Sequence, residues 1–139
     1  LSKYINDNYP GEKLIDAIGK LNSYSELYRF ITNIKGYGQK TGGLLLRLIY
    51  ESNICNFNDE LEDIPIDRHD LEISYLNGVI DNKKLSQKEI KELGSIWCLA
   101  AHNNDISSCL IDKYLWSIGN GFCLKKKCLE CPLKDNCQR

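Results

Sequence analysis

The sequence predicts an all-α fold. Apolar residues recur at the i, i+3, i+4, i+7 spacing of a helix face in one segment after another. The breaks between these segments carry helix caps, glycines or a proline, and no stretch reads as a convincing strand. About five or six helices would bury one core, and 139 residues suit one domain with a real hydrophobic interior.

Taken in order, Gly11 to Lys20 forms a short helix with Leu14, Ile15 and Ile18 on one face. Ser25 to Ile34 carries Leu27, Phe30, Ile31 and Ile34 at helical spacing. A sharp turn follows, and Leu44, Leu45, Leu48 and Ile49 repeat the pattern in a second helix that stops near Ser52 and Asn53. Asn56 to Pro65 is a polar, acidic connection. Pro65 biases Ile64 to an extended conformation, so a new helix begins after it with Asp67 near its first turn. That helix carries Leu71, Ile73, Leu76 and Val79, and ends around Gly78 to Asp81. Ser86 and Glu89 form a capping box for a helix with Ile90, Leu93, Ile96, Trp97 and Ala100, which stops around His102 to Asn104. Ser107 or Ser108 caps the last helix, with Leu110, Ile111, Leu115 and Ile118 on its face and Gly119 and Gly121 at its end.

Hydrophobic content of 42% and charged content of 27% are ordinary for a soluble globular protein. No apolar run approaches the roughly 20 residues of a membrane span, and no signal peptide opens the chain. The expectation is an intracellular protein of cytoplasm or nucleoid, with no membrane partner. Net charge is −1, unevenly spread: the last 19 residues hold a local +3 and the rest −4. The stretch Asp59 to Glu72 contains seven acids and one formal cation, Arg68, so it should face away from any phosphate.

Two features carry chemistry. The first is Ile34-Lys35-Gly36-Tyr37-Gly38-Gln39-Lys40-Thr41, a turn whose glycines admit positive φ and close backbone approach. Its backbone N–H groups open a helix, which makes it a site for an anion. The second is Cys123-x4-Cys128-x2-Cys131-x5-Cys137. Seven cysteines are many for this length, and an odd total with four in the final 17 residues favours a metal site over disulfides. Four thiolates so close can wrap one cluster or one ion, with zinc as the alternative. Cys55, Cys98 and Cys109 lie among apolar neighbours and read as buried small hydrophobes.

These residues together resemble the helix-hairpin-helix DNA glycosylase superfamily, in its endonuclease III-like branch with a C-terminal iron–sulfur loop. Ile34 to Thr41 is similar to the hairpin, Ile66-Asp67-Arg68-His69 to the segment with the family's aspartate, and the four cysteines to its cluster loop. The approach Trp116 to Cys123 is also similar, which favours Cys123 over Cys109 as first ligand. The resemblance implies base excision DNA repair on double-stranded DNA with a damaged base or abasic site. Lys40 would be the nucleophile that forms a Schiff base, and the helix macrodipole disfavours an ammonium there relative to the amine that attacks. Asp67 would assist it, with Asp70 and Asp63 as fallbacks, and as a plain reading it is an N-cap. Gly36, Gly38, Gln39 and Thr41 would grip a phosphate, with Arg68 and the loop lysines Lys125, Lys126 and Lys127. Cys123, Cys128, Cys131 and Cys137 would hold a 4Fe–4S cluster of structural role. Residues 1–120 would then be the helical domain, with the hairpin at about 25–52, and 121–139 the cluster loop.

The chain departs from the family pattern in four places. Lys40 and Asp67 stand 27 positions apart, a longer gap than in endonuclease III-like chains, and the gap between the first two cysteines is shorter. Lys35 replaces a proline common before the first hairpin glycine, and Tyr37 a small aliphatic residue; Tyr37 would stack near DNA or fill the hairpin. The resemblance covers the later half of a full-length glycosylase. Leu1 stands where a natural start has Met, so the expectation is a fragment or a short member whose barrel needs a preceding segment or a partner. Two other classes compete with the enzyme: a non-catalytic helix-hairpin-helix and iron–sulfur DNA-binding module, and a zinc-stapled helical interaction domain.

Overall fold

The helical periods become α-helices in a computed structural model that describes residues 3, 6–7, 9–21, 23–55, 57 and 63–138. They are α1 (Leu14–Lys20), α2 (Tyr24–Thr32), α3 (Gln39–Glu51), α4 (Arg68–Leu76), α5 (Gln87–His102) and α6 (Ser108–Ile118). No strand occurs among the described residues, so the protein is all-α. The side chains of Leu14 and Ile15, and the acids Asp59, Glu60 and Glu62 of the connection, lie outside the described residues. No helix among the described residues is long and apolar enough to cross a membrane. The chain divides into two compact units, Leu1–Leu61 and Glu62–Arg139.

In the first unit α2 and α3 form an antiparallel-type helical pair joined by the turn at residues 33–38. Ser23 caps α2 by accepting the Glu26 N–H at 3.1 Å. Tyr24, Leu27 and Ile31 are its buried face. The buried face of α3 is Gly42, Gly43, Leu46 and Ile49, whereas Leu44 and Leu48 point outward. This differs from the Leu44, Leu45, Leu48, Ile49 face read from hydropathy. The reason is that the helices approach closely at Gly42, where a Cβ would come within 2.8 Å of the Thr32 methyl. Glycine carries no hydropathy signal, so close packing rotated the helix away from its most apolar stripe. Asn53 closes α3 at φ +51, with its N–H donating to the Tyr50 carbonyl at 3.0 Å. Phe57, inside the segment read as a polar connection, sits edge-on to Tyr24 at 4.9 Å and stacks with Tyr50 at 6.3 Å.

In the second unit α4, α5 and α6 pack together, and Ile64 anchors the incoming chain. Ile64 is buried beside Gly94 of α5, where a Cβ would meet the Ile64 carbonyl oxygen. The Ser86–Glu89 capping box is present: Glu89 Oε2 accepts the Ser86 N–H at 2.7 Å and the Ser86 hydroxyl at 2.6 Å. The Ser86 hydroxyl and then its backbone N–H hold the Glu89 carboxyl below its usual range. The cap therefore acts above the ordinary carboxylate pKa and is lost as pH falls through the lowered one. Leu93, Gly94, Cys98 and Ala101 face inward, and Ile96 lies outward. Ser107 caps α6. Gly119 is the C-cap that ends α6, and a π-helical turn, Gly119–Cys123, follows it directly and reaches the first of the four C-terminal cysteines.

The observed register of α3 is checked by denaturation. Leu46→Ala, at a fully buried position, should cost about 2–5 kcal/mol in urea unfolding. Leu48→Ala, on the exposed face, should change stability by about 0.5 kcal/mol or less.

Candidate functional site

The hairpin of the first unit is made by one strained residue. Gly36 sits at φ +95, open only to glycine at little cost, while Gly38 at φ −81 is extended backbone that any residue adopts. Gly38 matters for what it omits. It is the N-cap of α3 and offers no side-chain acceptor, and a Cβ there would meet nothing within 4 Å. The first-turn N–H groups of a helix lack intrahelical acceptors, and here they receive none from the N-cap side chain, in a turn with no acidic residue. Gln39, Lys40 and Thr41 are exposed there, as is Tyr37, which therefore does not fill the hairpin.

In the second unit Asp67 is the N-cap of α4. Its Oδ1 accepts the N–H groups of His69 and of Asp70, the latter at 3.2 Å. Asp70 answers by accepting the Asp67 N–H through Oδ2 at 2.6 Å. Asp67 keeps 8% of its surface exposed and Asp70 none, so Asp70 has no surface with which to meet a ligand. Asp63 is half-buried. The N-cap role of Asp67 is thus a structural fact.

The cysteine loop grips α4 at both ends. At the start of α4, His69 packs on buried Gly119, where a Cβ would lie 2.6 Å from the His69 Cβ. At its end, Gly78 at φ +70 closes a Schellman motif: the Val79 N–H donates to the Ser74 carbonyl at 2.8 Å and the Gly78 N–H to the Tyr75 carbonyl at 3.2 Å. Gln138, next to the last cysteine, donates its N–H to the Leu76 carbonyl at 2.7 Å, with its side chain over Gly78.

Between these anchors all four predicted ligands, Cys123, Cys128, Cys131 and Cys137, line one cavity of about 180 Å3. Leu76, Phe122 and Leu129 supply its apolar wall, and Lys134 also borders it. Cys109 is buried in α6 and does not line it. Among the described residues no three His, Cys, Asp or Glu side chains converge as a single-ion site requires. The four thiols form an all-sulfur donor set with apolar walls, chemistry that suits an iron–sulfur group or zinc.

Beside this cavity lies a cleft of about 400 Å3 lined by Arg68, His69, Glu72, Gly119, Cys123, Leu124 and Lys126. It brings together Arg68 and Lys126, which are 58 residues apart in the chain. Lys126 takes φ +55, and the Lys127 N–H donates to the Phe122 carbonyl at 2.9 Å, so backbone geometry sets the lysine run. Lys125 and Lys127 are exposed but do not line the cleft, and Lys127 lies 3.6 Å from Glu130. The sequence reading missed this cleft. Its only signal was the adjacency of Arg68 to the capping aspartate.

Compared with known protein families, with curated proteins and with solved structures, the chain matches none.

Gly119→Ala tests the grip on α4. The new Cβ would press on the root of the His69 side chain, which cannot swing away, so stability should fall by about 1–3 kcal/mol in urea unfolding.

Proposed function

We propose that the chain acts in base excision DNA repair as a bifunctional DNA glycosylase and abasic-site lyase of the endonuclease III kind, on oxidised pyrimidines. The observation that carries this reading is the hairpin, which puts Lys40 in the exposed first turn of a helix opened by uncapped backbone N–H groups. Such an end, with no acidic residue in its first turn, suits a phosphate. A lysine one residue inside it would then be held beside the nucleic-acid backbone.

In this reading the damaged nucleotide is rotated out of the duplex. The Lys40 amine adds to its C1′ as the glycosidic bond breaks, and the base leaves with the bonding electrons. Loss of the ring oxygen bond gives a protonated imine between Lys40 and the sugar. Removal of a C2′ proton then expels the 3′ phosphate and nicks the strand. Asp67 would stabilise the cationic sugar and accept the proton of the attacking amine. Its cap geometry supports this role by fixing the carboxylate in a residue that is not fully enclosed. Arg68 and Lys126 would hold backbone phosphate at their shared cleft.

Cys123, Cys128, Cys131 and Cys137 would hold a 4Fe–4S group, whose contribution when bound is a cross-link that fixes the loop carrying Lys126. The chemistry proposed for Lys40 and Asp67 passes through none of its atoms. Protein purified without oxygen should contain about four irons per chain. Serine at any of the four cysteines should lower that content, and Cys109→Ser should leave it unchanged. One zinc and no iron would favour the zinc-stapled alternative.

The lyase step is tested by borohydride trapping on a duplex with one abasic site. Wild-type protein should give a covalent adduct, and Lys40→Ala should lose it. An adduct that survives Lys40→Ala would remove Lys40 from its role. Folded, iron-bearing protein without any adduct would leave a non-catalytic DNA-binding module.

A further inference from the structure

Asp70 is fully buried, which for a carboxyl group demands a reason. Capping α4 needs only the Asp67 oxygen, which serves the N–H groups of His69 and Asp70. Yet a second carboxyl is buried next to the first, and like charges in close quarters oppose folding. In most capping boxes the returning residue is Glu or Gln, whose longer side chain folds back over the helix end. Here it is the shorter, stiffer Asp, and its Oδ2 meets the Asp67 N–H at 2.6 Å.

The arrangement is also anchored from behind. The Ser74 hydroxyl donates to the Asp70 carbonyl at 2.6 Å, and the Trp97 Nε1–H of α5 donates to the Ser74 oxygen at 2.9 Å. Ser74 is fully buried as well. A neighbouring helix is thereby connected, through Trp97, Ser74 and Asp70, to the backbone of Asp67. Such a chain restrains Asp67 at its main chain through Asp70 and at its side chain through its own cap bonds.

We propose that Asp70 is a positioning residue for Asp67: its buried carboxyl fixes the Asp67 backbone, and so the direction of the Asp67 carboxylate, with Ser74 and Trp97 as the rigid support. The proposal rests on the reading that Asp67 serves the lyase reaction. Asp70 itself touches no substrate.

Two variants separate positioning from bulk stability. Asp70→Asn keeps an oxygen to accept the Asp67 N–H, and Asp70→Ala removes it. Deuterium exchange of the Asp67 amide and steady-state cleavage of an abasic duplex are measured on both. Asp70→Ala should speed exchange at Asp67 roughly tenfold or more relative to the other α4 amides. It should lower kcat by roughly tenfold or more at unchanged KM, as expected when a reacting group is held less well. Asp70→Asn should restore most of both. Unchanged Asp67 exchange in Asp70→Ala overturns the proposal, as does a loss of kcat that Asp70→Asn does not rescue. If wild-type protein cleaves no abasic duplex, the lyase reading fails by itself, and amide exchange alone then decides whether Asp70 positions Asp67. Should Asp70→Ala not fold, Ser74→Ala gives the same reading: faster Asp67 exchange supports the support chain, and unchanged exchange overturns it.

Discussion

Helix α4 is held from both ends by one loop, and the arrangement of the second unit follows from that. His69 on Gly119 fixes where the loop begins, and the Leu76 carbonyl receiving Gln138 fixes where it ends. The distance between these points is set by the seven residue steps from His69 to Leu76 within α4, a rigid spacer of about 1.5 Å per residue. A loop with its ends so defined must gather whatever lies between them, which here is four thiols around one apolar-walled cavity. The irregular segment borrows its order from a regular one. Short as α4 is, it is capped reciprocally at one end and by a Schellman motif at the other, so neither end is left to fray.

What the sequence made legible was whatever has a local signature. Ser86 and Ser107 stand at N-caps because each supplies an acceptor to N–H groups a few residues away, and Asn53 ends α3 because it tolerates positive φ. The cysteine spacing likewise pointed to four residues that do line a common cavity. Illegible were the features created by neighbours distant in the chain. Gly42 turned α3 so that Leu44 and Leu48 face outward, and a glycine gives no hydropathic hint of that. Gly119 reads as a helix stop and is the C-cap of α6, but nothing local announces the π turn that follows it or the close approach of His69 that its missing side chain admits. Phe57 looked stranded in a polar stretch, although two tyrosines of the first unit receive it. No local pattern announces the Trp97 to Ser74 hydrogen bond, which joins residues 23 apart.

The two candidate chemical features use opposite means of holding polar groups. At the hairpin, helix N–H groups are presented because the capping side chain is absent, and Gly38 leaves open space for an incoming oxygen. At α4, the equivalent N–H groups are consumed by Asp67, and the Asp67 N–H is consumed by Asp70. One helix start thus lacks a capping side chain, and the other is closed by two carboxylates. The proposed phosphate-facing role belongs to the first and the proposed carboxylate role to the second.

The charge distribution follows the same logic. The acid-rich stretch around Asp67 would repel DNA if it were a solvated face, and its count of seven acids suggests that it is. Asp67 and Asp70, however, are buried and each receives backbone N–H groups, whose dipoles offset part of their field. Glu72 is drawn toward Lys83, 2.8 Å away. Glu72 lines the cleft together with Arg68 and Lys126, but its carboxylate is paired with Lys83, and Asp67 and Asp70 are turned into α4. A chain of net charge −1 can in this way bring Arg68 and Lys126 to one place, because local geometry and not the formal sum determines the local field.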